Sequence, residues 1–160
     1  MEQPFGEDKI RPRALNVVWA PFASRFRTVH NAVGQNIPPG AGYTIVEFPG
    51  EIFDGLGEYD PILFQFVPAA TGYYLFTARV TYDTIPANTL SGAYLFQTAS
   101  IRDVSVIRHN SAEPHSHHLS CVTFCVVGEV INVRTNHGHV LAQTLTGASP
   151  WCNFTGHRLS

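Results

Sequence analysis

The strongest regularity along the chain is a period of two. From Tyr73 to Tyr82, the residues Tyr74, Phe76, Ala78, Val80 and Tyr82 fall on one side of an extended backbone, and Leu75, Thr77, Arg79 and Thr81 on the other. That predicts a strand with one core face and one mixed face. Runs of the same kind cover Gly42–Phe48, Ile62–Val67, Ala93–Thr98, Asp103–His109, Leu119–Val127, Val130–Thr135, Val140–Leu145 and Trp151–Leu159, separated by Gly, Pro, Asn or Asp clusters. No window of about 11 residues keeps a 3.6-residue apolar repeat. About nine or ten short strands at this spacing predict an all-β sandwich or barrel.

The first 21 residues break the pattern. Pro4, Gly6, Pro12 and Pro21 oppose regular structure there, yet Leu15, Val17, Val18 and Trp19 are too apolar to sit in water. Residues 1–21 therefore read as an extended arm and residues 22–160 as one domain. The arm either folds back on its own barrel or docks on a neighbouring subunit or larger assembly.

Composition narrows the function. Charged residues make up 14% of the chain, well below the usual share, so there is little polar surface to spare and a partner is expected to cover part of it. The formal net charge is −2 and the basic residues are unclustered, with Lys9 the sole lysine, which argues against a nucleic-acid surface. No window is apolar enough for a membrane-spanning helix, and the N-terminus lacks a signal-peptide pattern, so a non-membrane protein assembled in a cytoplasm is expected. Cys121, Cys125 and Cys152 form an odd set. Cys121 and Cys125 on one strand would lie roughly 13 Å apart at ~3.3 Å per residue, too far to bond. All three are expected to be reduced, two of them as small core residues.

Several segments in order resemble the globular head of the complement C1q family in its bacterial and phage-type branch, which shares the tumour-necrosis-factor jelly roll. They are Ile45–Phe48, Glu51–Asp54 with Glu58–Asp60, Phe66–Pro68, Gly72–Phe76, Gly128–Val133 and Phe154–Leu159, and the resemblance spans Ser24 to Ser160. Gly-Tyr-Tyr-Leu-Phe at 72–76 and the terminal Phe-x-Gly-x-x-Leu are its most specific marks. The resemblance implies a ten-stranded, two-sheet jelly roll that forms homotrimers, with Tyr73, Tyr74, Phe76 and Phe154 in the fold or trimer core. The residues agree: Gly72 supplies a turn into the central strand, and Gly128 is expected to tighten a hairpin between strands ending at Val127 and starting at Val130. The collagen stalk and secretion signal of animal members have no counterpart here.

Two clusters raise cation binding. Six of the eight histidines lie between His109 and His139, and His115, His117 and His118 form a His-x-His-His set within a polar stretch, Asn110–His118, that reads as a loop. Imidazoles meeting across strands or on a threefold axis suit Zn or Ni, whereas the plain alternative is a solvated loop. Asp54, Glu58 and Asp60 share a short loop with Gly55 and Gly57, a loose Ca-type turn without ordered alternation, and Asp and Gly are also ordinary turn residues. No nucleophile elbow, His-Glu-x-x-His helix, phosphate loop or dinucleotide glycine pattern is present, so no catalytic residue is assigned. Cys121 as half of a Cys–His dyad is weighed against a buried structural thiol, which its alternation with Thr123 and Cys125 favours.

The sequence thus predicts a non-enzymatic trimeric virion protein, a phage capsid decoration or cement protein whose arm contacts the major capsid protein. The alternatives are a trimeric tail-fibre tip or adaptor that binds host surface glycan or protein, and a bacterial C1q-like ligand-binding protein.

Overall fold

A computed structural model describes residues 24–30, 33–40, 42–147 and 151–159. The arm residues Leu15, Val17, Val18 and Trp19 lie outside them. The fold is arranged around the strand with the clearest alternation, β7 (Gly72–Ile85), which is longer than its sequence pattern suggests. Before it come β1 (Arg25–Val29), β2 (Gln35–Ile37), β3 (Thr44–Ile45), β4 (Gly50–Asp54), β5 (Tyr59–Asp60) and β6 (Gln65–Phe66). After it come β8 (Leu90–Gln97), β9 (Ser100–Arg108), β10 (Glu113–Cys125), β11 (Ile131–His137), β12 (Gln143–Leu145) and β13 (Asn153–Arg158). No helix occurs among the described residues.

The strands form two antiparallel sheets. The first runs β2-β12-β7-β13-β1-β4, with β10 along the opposite edge of β7. The second runs β5-β6-β11-β8-β9, with β3 also on β11. After β7 the chain enters the second sheet for β8 and β9, returns for β10, crosses again for β11 and ends in the first sheet. This alternation is that of a jelly roll, the all-β class the periodicity predicts.

Several expected boundaries move. Ile62–Val67 contracts to Gln65–Phe66, because Ile62 and Leu63 sit in an exposed turn closed by Asp60 Oδ1, which accepts their backbone N–H groups at 2.8 and 2.9 Å. Gly128 does not close a hairpin. β10 and β11 belong to different sheets, so the Val126–Gly128 turn is a crossover, and the φ of +86° at Gly128 is what requires glycine. Asn110–His118 is not a loop throughout, since β10 begins at Glu113 and pairs with β7 from there to Cys125. Pro114 is tolerated near the strand's start, where the register shifts and no second sheet partner exists.

The core between the sheets is aromatic at one end. Phe26 stacks on Phe66 at a centroid distance of 4.7 Å and meets Phe154 edge-on at 4.8 Å, while Tyr74 and Phe76 stack at 5.9 Å. Gly156 makes this packing possible: a Cβ there would lie 2.5 Å from Phe26 Cε1 and 2.7 Å from Phe76 Cδ1. The Phe-x-Gly pattern of β13 is therefore a steric requirement, one residue filling the core and the next inward one leaving room for two rings. The buried tyrosine hydroxyls find acceptors, Tyr74 on Ala70 O at 2.7 Å and Tyr59 on Phe48 O at 3.2 Å. Cys125 and Cys152 are buried and Cys121 is half-buried, all as free thiols.

Candidate functional site

Tyr74, Phe76 and Phe154 are fully buried within their own barrel, so they serve the fold and present no surface to a partner. Tyr73 differs. It points from the outer face of β7, is 51% exposed and meets Phe124 of β10 edge-on at 5.2 Å. The ladder places Val122 beside Leu75 on the same face, and Leu159 donates its N–H to Tyr73 O at 2.7 Å. Tyr73, Val122, Phe124 and Leu159 thus form an exposed apolar patch at one end of the first sheet. A second exposed patch lies on β9, where Val104 and Val106 point away from the core opposite Tyr94 and Gly92. β9 and β10 are the adjoining edges of the two sheets, and Asp103 Oδ2 accepts the Ser120 N–H across them at 2.7 Å. That carboxylate blunts an otherwise open strand edge.

The histidines do not act as the sequence suggests. Alternation in β10 puts His115 and His117 on the inner face and His118 on the outer, so the three do not converge. His117 is fully buried. Its Nε2 lies 2.8 Å from Ser91 Oγ and its Nδ1 3.1 Å from Ser105 Oγ, tying β10 to both β8 and β9. Ser91 Oγ also meets His109 Nε2 at 2.7 Å. One proton per serine makes this a chain in which each hydroxyl donates to one imidazole, and a neutral His117 satisfies it with one nitrogen donating and the other accepting. Burial, then the neighbouring His115, His109 and His118, push the His117 pKa down to about 3. Both its nitrogens are committed to serines, which leaves no lone pair for a metal.

The acidic loop is also used internally. Asp54 accepts the N–H groups of Leu56, Gly57 and Tyr59 at 3.1, 3.0 and 2.6 Å, and Asp60 closes the next turn. Glu58 is buried and accepts from Ser24 Oγ and, at 2.7 Å, from Ala69 N–H. Each carboxylate caps its own stretch of backbone. Among the described residues no group of three His, Cys, Asp or Glu side chains is arranged to hold a metal ion. The thiols are poor nucleophiles as placed: burial pushes Cys125 up to about 12 and Cys152 up to about 11, and it raises Cys121 as well.

No protein-family model matches the sequence, and no curated protein matches it either. Solved structures do match. The globular domain of zebrafish complement 1qA protein aligns with a TM-score of 0.67 at 12% identity, over 86% of this chain and 98% of that one. The chain has the C1q/TNF-like jelly-roll fold. Murine APRIL aligns at 0.64 with 13% identity over 86% and 99% of the two chains, and the Eiger TNF of S. frugiperda at 0.62 with 11% over 86% and 93%. In this jelly roll, the surface that sequence reasoning missed is the outer side of β9. Asp103–His109 reads as an ordinary half-buried strand, and nothing in its alternation says that it is a sheet edge. Ser91 and Ser105 were equally silent, since a serine in a strand signals a partner only once the facing strand is known.

Proposed function

We propose that this C1q/TNF-like head is a non-enzymatic homotrimer that serves as a virion structural protein, a phage capsid decoration or cement protein assembled in the host cytoplasm. The observation that carries self-association is the pair of unlike apolar patches, Tyr73–Val122–Phe124–Leu159 on one sheet and Val104–Val106 on the edge of the other. A closed ring of three copies is heterologous, so each copy needs two different complementary surfaces rather than one self-complementary one. Contiguous exposed apolar side chains on a soluble domain mark such contacts. The absence of enzymatic activity is supported by thiols whose pKa burial raises and by the binding of His109 and His117 to structural serines.

The contact with the major capsid protein is supported by the sequence of residues 1–21, where Leu15, Val17, Val18 and Trp19 need cover. Two experiments test the reading. Light scattering on the full chain is expected to give a trimer, and a stable monomer at micromolar concentration overturns it. The full chain is expected to co-sediment with undecorated phage heads, and a chain lacking residues 2–21 is expected not to. A second reading, a fibre tip or adaptor that binds host surface glycan, is favoured by an aromatic-walled groove at the far end of β7.

A further inference from the structure

That groove lies between the end of β7, the start of β10 and the segment before β13, and it encloses about 410 Å³. Its walls are Thr81, Asp83, His115, Ser116, Thr146 and Trp151. The volume is at the small end for ligand sites, suited to one ring-sized group.

The groove is built rather than incidental. Thr81 Oγ1 donates to Trp151 O at 2.6 Å and lies 2.8 Å from Ser116 Oγ, and Thr81 N–H reaches Cys152 Sγ at 3.1 Å. Arg79 donates to Ser116 Oγ from Nε and Nη2 and lays its guanidinium over the Trp151 ring at 4.5 Å. These contacts fix the indole, yet Trp151 remains 46% exposed. They also engage the Thr81 and Ser116 hydroxyls and the Nε and Nη2 donors of Arg79. The Asp83 carboxylate is different: it stays exposed in the lining of the groove. The ligand-facing chemistry is therefore one aromatic wall and one carboxylate acceptor.

We infer that this groove binds a neutral hexopyranose. The C–H face of a pyranose covers an indole, and vicinal hydroxyls suit a carboxylate that accepts two of them. An anionic sugar or phosphate brings its charge against the Asp83 carboxylate, while the Arg79 guanidinium is turned to Ser116 Oγ and the Trp151 ring. The inference deepens the glycan-binding reading and does not depend on self-association, because the groove lies at the other end of β7 from Tyr73.

The test uses the full chain carrying Trp19→Phe, so that Trp151 is the sole indole, titrated with the methyl α- and β-pyranosides of glucose, galactose and mannose. At least one is expected to give a saturable change in Trp151 fluorescence and a saturation-transfer signal. Asp83→Asn, at an exposed position, is expected to weaken binding about tenfold, the equivalent of one charge-assisted hydrogen bond. Trp151→Ala, with its fold checked by circular dichroism, is expected to abolish the saturation-transfer signal, and Tyr73→Ser to leave it unchanged. The inference is overturned if no pyranoside binds saturably, if binding survives both groove substitutions, or if N-acetylneuraminate binds more tightly than every neutral sugar. Adhesion of the chain to host cells without pyranoside binding would retain the receptor reading and remove the groove from it.

Discussion

Acidification should loosen this domain through His117. The folded imidazole is fully buried with a pKa pushed down to about 3, whereas in the unfolded chain it titrates near 6.5. Above pH 6.5 both states are neutral and the group adds no pH dependence. As pH falls below that value the unfolded state takes up a proton that the folded state refuses, so stability drops until the folded pKa is reached. At pH 5 the unfolded imidazole is almost wholly charged and the folded one almost wholly neutral, a difference of about 2 kcal/mol. The groups facing His117 give no relief. His109 and His115 flank it at the seam, His118 follows it in β10, Tyr82 packs edge-on at 6.2 Å, and the serines that bind it are uncharged. His109 is shifted the same way by burial and by His115, with Glu113 opposing, so it adds to the slope.

The measurement is urea unfolding at pH 7 and pH 5, at fixed protomer concentration because dissociation adds a mass-action term. His117→Asn keeps a polar partner for the serines but cannot titrate. The wild type is expected to lose about 2 kcal/mol more than the variant between the two pH values. Parallel losses in the two proteins would refute the argument and show that the buried imidazole charges at little cost.

Three further expectations follow from packing and surface. Gly156→Ala forces a Cβ against the Phe26 and Phe76 rings and should cost about 1–3 kcal/mol, read as a fall in the denaturation midpoint; an unchanged midpoint would mean the rings move freely. With burial raising all three thiols, a disulfide reagent at pH 8 should label the native chain slowly and all three sites at once in denaturant, so rapid native labelling of Cys125 or Cys152 would contradict their placement. Tyr73→Ser combined with Phe124→Ser touches neither core nor groove and should shift the light-scattering mass toward monomer at unchanged thermal stability of the protomer, while an unaltered assembly would place the contact elsewhere.

What could be read from the sequence depended on whether the signal was local. β7 declared itself because its inward residues, from Tyr74 to Tyr82, are all apolar and its outward ones mixed. β1 did not: Arg-Phe-Arg-Thr-Val offers Phe26 and a buried Thr28 as its inward pair, too little apolar weight to register. The start of β10 looked like a loop because His115 and His117 are polar. What makes His117 an interior residue is Ser91 and Ser105, on strands the sequence does not mark as its neighbours. Phe-x-Gly in β13 was visible as a motif, but its cause is Phe26, at the opposite end of the domain in sequence. In a jelly roll the strand order is set by crossovers, and a polar or glycine position is explained by whichever strand the crossovers bring against it.

The same point governs the outer face of β7, which alternation marks simply as mixed. Tyr73 and Asp83 both occupy it, roughly 33 Å apart at ~3.3 Å per residue. Around Tyr73 the neighbouring segments supply Phe124 and Leu159, and around Asp83 they supply Ser116 and Trp151. One strand face is thereby divided into an apolar end suited to another protein and a polar, aromatic-walled end suited to a small hydroxylated ligand. If the first end serves the proposed assembly and the second the proposed sugar site, the two lie at opposite ends of β7, so the two proposed tasks are compatible in one barrel.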